Sequence, residues 1–171
     1  MPSFTPIFIP GLLCTELLFA KQRASLPNQG YIADTTRHDS IHDMAQAALD
    51  LCEGPLVPIG LSMGGYVALE MARLAPQRMA AMALLSTNCR DDSAESQRQR
   101  QQAIALAKQK GFQGVTRRLM PRLLSEAALQ DEAVVADVLA MAADIGRIGF
   151  VQQQTAIIGR RAQHDTLASF N

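Results

Sequence analysis

The fold is decided by residues 56–69, which read LVPIGLSMGGYVAL. The apolar start is typical of a buried β-strand, the middle is Gly-x-Ser-x-Gly around Ser62, and the end is helix-forming. This order of strand, tight turn and helix is that of a nucleophile elbow, in which the serine hydroxyl stands clear of the sheet. Gly60 and Gly64 flank the serine, where side chains would collide with the neighbouring strand and helix. The alternative interpretation is a glycine-rich turn that contains a serine by chance.

The composition indicates a soluble globular protein with one core and an insertion. The 171 residues are 48% hydrophobic and 19% charged, within the ordinary range for such domains. Sixteen basic residues balance sixteen acidic ones, so no overall field favours nucleic acid or an anionic membrane surface. We therefore expect a small-molecule partner, with no nucleic acid and no membrane.

The cysteines and the N-terminus predict a reduced, cytoplasmic protein. Cys14, Cys52 and Cys89 are odd in number, lack metal-ligand spacing and have apolar neighbours, so we interpret them as free thiols. Residues 7–14 are apolar but lack a basic start and are interrupted by Pro10 and Gly11, which argues against a signal peptide. No apolar run reaches membrane-spanning length. We predict no metal and no cofactor.

The first half of the chain alternates short apolar runs with amphipathic segments. Ser40 is a predicted helix cap, and Glu70 and Arg73 share one side of an otherwise apolar helix. The run 79–85 is continuously apolar, as in a strand covered on both faces. The predicted elements are strand 5–9, helix 15–26, strand 31–33, helix 40–52, a strand from 56 that ends in the Gly-x-Ser-x-Gly turn, helix 64–75 and strand 79–85. This alternation predicts an α/β fold with a doubly wound, mostly parallel sheet.

Residues 93–160 contain no convincing strand and predict a helical insertion. Arg117, Arg118 and Arg122 could meet an acidic substrate group, although a solvated face is the commoner use of such residues. The predicted helices are 93–110, 112–124, 131–145 and 150–160, with breaks at Gly111, Pro121, Ser125 and residues 146–149. The resulting division is a core of 1–92, a helical cap of 93–160 and a tail of 161–171 that leads toward a further core strand.

A serine nucleophile needs a base, an acid that orients the base, and donors for the oxyanion. Two donors are available on the backbone: the N–H of Met63, directly after the nucleophile, and the N–H of Leu12, directly after the first strand. The candidate catalytic residues are therefore Ser62, Met63 and Leu12. Gly11, Leu12 and Met63 are the candidate substrate-binding residues.

Three stretches carry a family resemblance: FIPGLL at 8–13, GLSMGG at 60–65 and the helix 150–160. Together they resemble the α/β-hydrolase fold superfamily over nearly the whole chain. The resemblance implies a serine-nucleophile hydrolase that acts on a small carboxylic ester or related acyl substrate through an acyl-enzyme. Serine rather than aspartate at position 62 disfavours the haloalkane dehalogenase and epoxide hydrolase branches. The esterase, thioesterase, lactonase, C–C hydrolase and lyase branches stay open.

The sequence departs from the superfamily at its C-terminal end. Members continue past the cap with strands that carry an acid and a histidine, so we expect that the C-terminal strands are missing here and that the triad is incomplete. The substitutes within the chain are His38, His42 and His164 as a base, and Asp91 and Asp92 as an acid. A solvated side chain is the commoner role for each of them.

The expected loss of C-terminal strands has a consequence for association. The run 79–85 would form an open sheet edge with unpaired N–H and C=O groups, a template for self-association or for complementation by another segment. A different class of function then has to be considered. A hydrolase remnant of this kind could act as a non-catalytic binding or assembly module.

Overall fold

Four parallel strands form the sheet in the computed structural model, which describes residues 4–109, 112 and 114–170. The strands are β1 (Thr5–Ile9), β2 (Tyr31–Ile32), β3 (Leu56–Leu61) and β4 (Ala83–Leu85). Their order across the sheet is β2-β1-β3-β4, and every pair is parallel. The predicted α/β class with a parallel sheet is confirmed.

Seven α-helices connect and cover the strands within the described residues. They are α1 (Ala20–Ala24), α2 (Ile41–Leu49), α3 (Met63–Leu74), α4 (Ala94–Lys108), α5 (Glu126–Leu129), α6 (Glu132–Ile158) and α7 (His164–Ala168). Three 3-10 turns add Glu16–Phe19, Pro76–Arg78 and Arg117–Arg122.

The centre of the core lies where β1 meets α2 and α3. Ile7 and Ile9 of β1 have no exposed surface, and β1 pairs with β2 on one side and with β3 on the other. Helix α2 begins as predicted, because Ser40 Oγ accepts a hydrogen bond from the Asp43 N–H at 3.3 Å. Its apolar face, which includes Met44, packs into the same core. The turn at Ser62 lies between β3 and α3, at the carboxyl end of β3.

Strand β4 is shorter and more exposed than the run 79–85 predicted. Met79 makes only an isolated bridge with Leu56, and the ladder resumes at Ala83. The gap lies opposite Pro58 of the neighbouring strand β3. The Leu56 carbonyl accepts from the Ala80 N–H, so the Pro58 nitrogen, two residues on, faces the same neighbour and has no proton to donate. The expectation that both faces would be covered is wrong, since Leu85 is 42% exposed.

The segment after β4 is helical, as predicted, but its divisions differ. The predicted helices 131–145 and 150–160 form the single helix α6, which is broken locally at Gly146 (φ 63°, ψ −171°). The predicted helix 112–124 is limited to the 3-10 turn Arg117–Arg122, where Pro121 cannot donate to a helical ladder. The predicted break at Gly111 lies outside the described residues.

Candidate functional site

Ser62 occupies a strained turn between β3 and α3. Its backbone has φ 52° and ψ −111°, a region that a non-glycine residue rarely adopts. Three hydrogen bonds hold it there: its N–H donates to the Leu85 carbonyl (2.9 Å), and its carbonyl accepts from Thr87 Oγ1 (2.8 Å) and from the Gly65 N–H (3.0 Å). The side chain is half-buried at the carboxyl end of the sheet. This is the geometry that the Gly-x-Ser-x-Gly motif predicts for an elbow.

The two flanking glycines are required by contact with the backbone. A Cβ placed on Gly60 would lie 2.3 Å from the Gly64 carbonyl oxygen, and one on Gly64 would lie 1.9 Å from the Ile9 carbonyl oxygen. Side chains at both positions would therefore push the strand and the helix apart. The sequence prediction that these glycines permit a close approach is confirmed by the structure.

The turn that follows β1 lies directly against the elbow. A Cβ placed on Gly11 would be 3.5 Å from Ser62 Cβ and 3.2 Å from the Leu61 carbonyl oxygen. Residues 11–14 form a β-turn in which the Cys14 N–H donates to the Gly11 carbonyl at 3.1 Å. Leu13, the third residue of this turn, has a positive φ of 59°. The fold thus brings the four candidate site residues Gly11, Leu12, Ser62 and Met63 together.

Two backbone N–H groups at this junction remain available. Neither the Leu12 N–H nor the Met63 N–H donates to another of the described residues. Met63 is the first residue of α3, where the helix supplies no acceptor for the N–H and the helix dipole favours negative charge. The Met63 N–H, directly after Ser62, thus lies at the positive end of α3.

The histidines that the sequence offered as bases contact other groups. His42 Nδ1 lies 3.1 Å from Glu70 Oε1, and His164 Nδ1 lies 3.2 Å from Cys89 Sγ. His38 is half-buried in the loop before α2. Among the described residues, no imidazole or carboxylate forms a hydrogen bond with Ser62 Oγ.

The two candidate acids also have other surroundings. Asp91 is exposed. Asp92 is buried between two arginines, with 2.6 Å from its Oδ2 to Arg100 Nε and 2.6 Å from its Oδ1 to Arg160 Nη1. Arg160 also stacks over the Tyr66 ring, with 4.1 Å to the centroid. Asp92 therefore joins the loop after β4 to α4 and to the segment after α6.

A buried ionic cluster surrounds Glu70 on α3. The sequence pattern predicted only that one side of this helix is charged. Glu70 is 3% exposed and accepts hydrogen bonds from Arg73 and Gln163, with His42 as a third partner. Burial raises the pKa of the Glu70 carboxyl, but these hydrogen bonds and the Arg73 charge outweigh burial and hold it at about 2. The i, i+3 spacing of Glu70 and Arg73 was visible in the sequence, whereas the contribution of Gln163 was not.

Cys14 closes the turn beside the candidate site. Burial raises the pKa of its thiol to about 11, although a hydrogen bond involving the Gly11 backbone acts in the opposite direction. The three cysteines are free, as the sequence predicted.

Within the described ranges, no group of three or more His, Cys, Asp or Glu side chains has an arrangement that could hold a metal ion. Of the helices described, none has the length and apolar character needed to cross a membrane.

Comparisons with known proteins identify the family and the fold of the chain. The family model described as "Thioesterase domain" matches residues 20–167. A thermophilic esterase from Thermogutta terrifontis has a similar structure, with a TM-score of 0.88 and 23% identity over 99% of this chain and 69% of its own. The enol-lactonase from Burkholderia xenovorans has a TM-score of 0.75 and 19% identity over 99% of this chain and 70% of its own. A search among curated proteins found no match.

These matches define the class of protein. The fold is that of the α/β-hydrolases, and the structural neighbours at these identities support the fold alone. The chain belongs to the thioesterase domain family, because the family model covers most of its length. It is therefore a member of the thioesterase domain family with the α/β-hydrolase fold.

Proposed function

We propose that Ser62 is the nucleophile of a hydrolase that acts on a small carboxylic ester, thioester or related acyl substrate. The observation that carries this proposal is the strained backbone of Ser62 at the junction of β3 and α3, with the turn after β1 packed against it. A non-glycine residue is held in such a conformation only where the surrounding structure enforces it. Family membership supports the same chemistry.

In the proposed reaction the oxygen of Ser62 forms a bond to the acyl carbon of the substrate. The bond to the leaving group breaks, and the alcohol or thiol departs with the proton that the serine gave up. Water then adds to the acyl-enzyme and releases the carboxylic acid, which restores the serine hydroxyl. In both steps the substrate carbonyl oxygen becomes negatively charged, and the free N–H groups of Leu12 and Met63 are the proposed donors to it.

The base and the acid of this reaction are not assigned to any described residue. Without a base, the serine hydroxyl keeps its proton and reacts slowly. An oxyanion site and substrate binding alone still leave roughly 10³–10⁴-fold acceleration over water in serine hydrolases that have lost a triad member. We therefore expect the 171-residue chain to react at Ser62 weakly but specifically.

The test is labelling of the full chain with a fluorophosphonate probe, followed by peptide mass spectrometry. The expected result is slow phosphonylation confined to Ser62, which the Ser62→Ala variant abolishes. Ser86 provides a matched control, because it too follows a strand with a positive φ, of 45°, and Ser86→Ala should label like the wild type. Absence of label at Ser62 after an incubation long enough to detect the slow reaction that is expected without a base would refute the proposal.

The rival function is a non-catalytic binding or assembly module, favoured by the contacts of His42 and His164 with groups other than Ser62. The same labelling experiment separates the two functions. Rapid labelling that is lost on replacement of one histidine would instead identify the base. No label at all would favour the module.

Two further proposals concern the outer parts of the molecule. The first keeps the sequence division, with residues 93–160 as a cap over the 1–92 core and 161–171 as a tail. The second is association through β4, which pairs only with β3 among the described strands and leaves Leu85 exposed. Light scattering tests this second proposal: a concentration-dependent rise in mass is expected, and a monomer at all concentrations would contradict it.

A further inference from the structure

A strained turn carries one of the two proposed oxyanion donors. Leu12 and Leu13 are the central residues of the turn 11–14, and Leu13 has φ 59°, a position where glycine is the usual residue. An ordinary leucine relaxes from this conformation by rotation of the peptide group between Leu12 and Leu13. Something outside the turn must therefore hold that peptide group.

The Gln153 side chain supplies this restraint from α6. Its Oε1 accepts a hydrogen bond from the Leu13 N–H at 3.0 Å, which is the N–H of the peptide group in question. Its Nε2 donates to Thr35 Oγ1 at 3.1 Å and to the Thr35 carbonyl at 3.4 Å. Gln153 has no exposed surface, and Thr35 is 3% exposed. The oxygen of this fully buried amide thus bonds to the turn after β1, and its nitrogen bonds to the loop after β2.

Because Gln153 is buried, its hydrogen bonds contribute more to the position of the turn than exposed bonds would. A buried amide that loses a partner cannot replace it with water, so each bond favours one arrangement of the three segments. The same face of α6 packs on the turn, since Leu13, Ala142 and Phe150 belong to one apolar cluster. The position of the turn is therefore determined by α6 as well as by β1.

We infer that Gln153 is a positioning residue for the oxyanion site, which it acts on through the Leu13 N–H and so through the orientation of Leu12. This inference rests on the proposed function, because it assigns Leu12 as a donor to the oxyanion. Gln153 does not touch the reacting atoms. Its loss leaves the Leu12–Leu13 peptide group free to rotate and so changes the shape of the turn 11–14. The Gly11–Leu12 peptide group, which carries the Leu12 N–H, then loses its fixed position beside Ser62.

The test compares Gln153→Met with Gln154→Met in the full chain. Methionine has a similar length and no amide. Gln154 is the matched control, because it is also buried on α6 but accepts from Arg100 Nη1 at 2.8 Å and not from the turn. Two quantities are measured for each variant: hydrogen exchange of the Leu13 amide, and fluorophosphonate labelling of Ser62 separated into maximal rate and half-saturating probe concentration.

Only Gln153→Met is expected to change the exchange of the Leu13 amide and the labelling of Ser62, whereas Gln154→Met should behave like the wild type. The Leu13 amide exchanges at least about tenfold faster. The maximal labelling rate falls by at least about tenfold, which is less than the roughly 10²–10³-fold loss that follows removal of an oxyanion donor. The half-saturating probe concentration changes by less than about twofold, because the effect lies in the reaction and not in binding. Adding Leu13→Gly to Gln153→Met restores most of the rate, since glycine adopts the positive φ without strain.

Equal behaviour of Gln153→Met and Gln154→Met would overturn the inference, and so would faster exchange with an unchanged labelling rate. If Gln153→Met does not fold, Thr35→Val takes its place. That variant removes one partner of Gln153 and is expected to show a smaller loss of rate in the same direction, so an unchanged rate would overturn the inference. If the wild type is not labelled at Ser62, the proposed function is wrong, and the exchange of the Leu13 amide alone decides whether Gln153 holds the turn.

Discussion

Replacement of Gly64 by alanine is expected to destabilise the protein by about 3 kcal/mol. The new Cβ would lie 1.9 Å from the Ile9 carbonyl oxygen, 2.7 Å from the Ile9 carbonyl carbon and 2.9 Å from the Pro10 carbonyl oxygen. These are backbone atoms of β1 and of the residue that follows it, so no side-chain rotation relieves the overlap. Overpacked cores usually lose about 1–3 kcal/mol, and a clash with a paired strand belongs at the upper end. The better helix propensity of alanine offsets only about 0.5–1 kcal/mol.

The assay is urea unfolding followed by far-ultraviolet circular dichroism. Gly159→Ala is the matched control, because Gly159 has φ −81° at the end of α6 and its Cβ would meet nothing closer than 3.7 Å. Its effect should stay within about 0.5 kcal/mol of the wild type. For a chain of this size a loss of 3 kcal/mol lowers the Tm by roughly 6–12 °C. Equal urea midpoints and equal slopes for the two variants would refute the close contact between α3 and β1.

Three further predictions concern single side chains. The pKa of Glu70 is about 2 in the folded protein against an ordinary 4.5. Above pH 5 its ionised form therefore contributes up to about 3 kcal/mol to the free energy of unfolding, and this contribution is lost as the pH falls toward 2. The urea midpoints of Glu70→Gln and the wild type should converge at low pH, and a difference that stays constant with pH would contradict this prediction. Asp92→Ala removes the carboxylate that pairs with the buried Arg160 side chain and should cost about 3 kcal/mol in urea unfolding. Glu132→Ala, in an exposed pair, should leave the midpoint unchanged, and equal midpoints for the two variants would argue against a buried pair. With a thiol pKa of about 11, Cys14 should be the last cysteine that iodoacetamide alkylates at pH 8, and early alkylation seen by mass spectrometry would contradict its burial.

The strained strand–turn–helix geometry at Ser62 could be predicted because its determinants are local. An apolar strand, two glycines around a serine and a helix without a break follow one another within residues 56–69. Each constraint acts between near neighbours in the chain, so the pattern specifies the turn before any tertiary contact is known. The turn after β1 could be predicted for the same reason, since Pro10 and Gly11 follow the strand directly.

The extent of β4 was predicted less well, because it depends on the neighbouring strand. The run 79–85 is apolar throughout, and nothing within it signals a gap. The gap arises opposite Pro58 of β3, more than twenty residues earlier, where the donor that would continue the ladder is absent. A pairing rule between two segments cannot be derived from the composition of one of them.

The surroundings of the titratable residues were beyond the sequence for a related reason. Asp91 and Asp92 are adjacent and look alike, yet one is exposed and the other is buried between Arg100 of α4 and Arg160, which follows α6. The burial of Glu70 depends on Gln163, 93 positions away in the chain. Which carboxylates are ion-paired was decided by packing.

The sequence by itself determined the α/β architecture, the elbow at Ser62 and the position of the turn before Leu12, since periodicity and glycine placement act over a few residues. Only the tertiary structure decided what holds that turn. Gln153 lies 140 positions from Leu13, in a helix whose sequence pattern indicates no more than packing. A hydrogen bond between such distant segments exists only after the core has formed, because the burial that makes it significant comes from the fold.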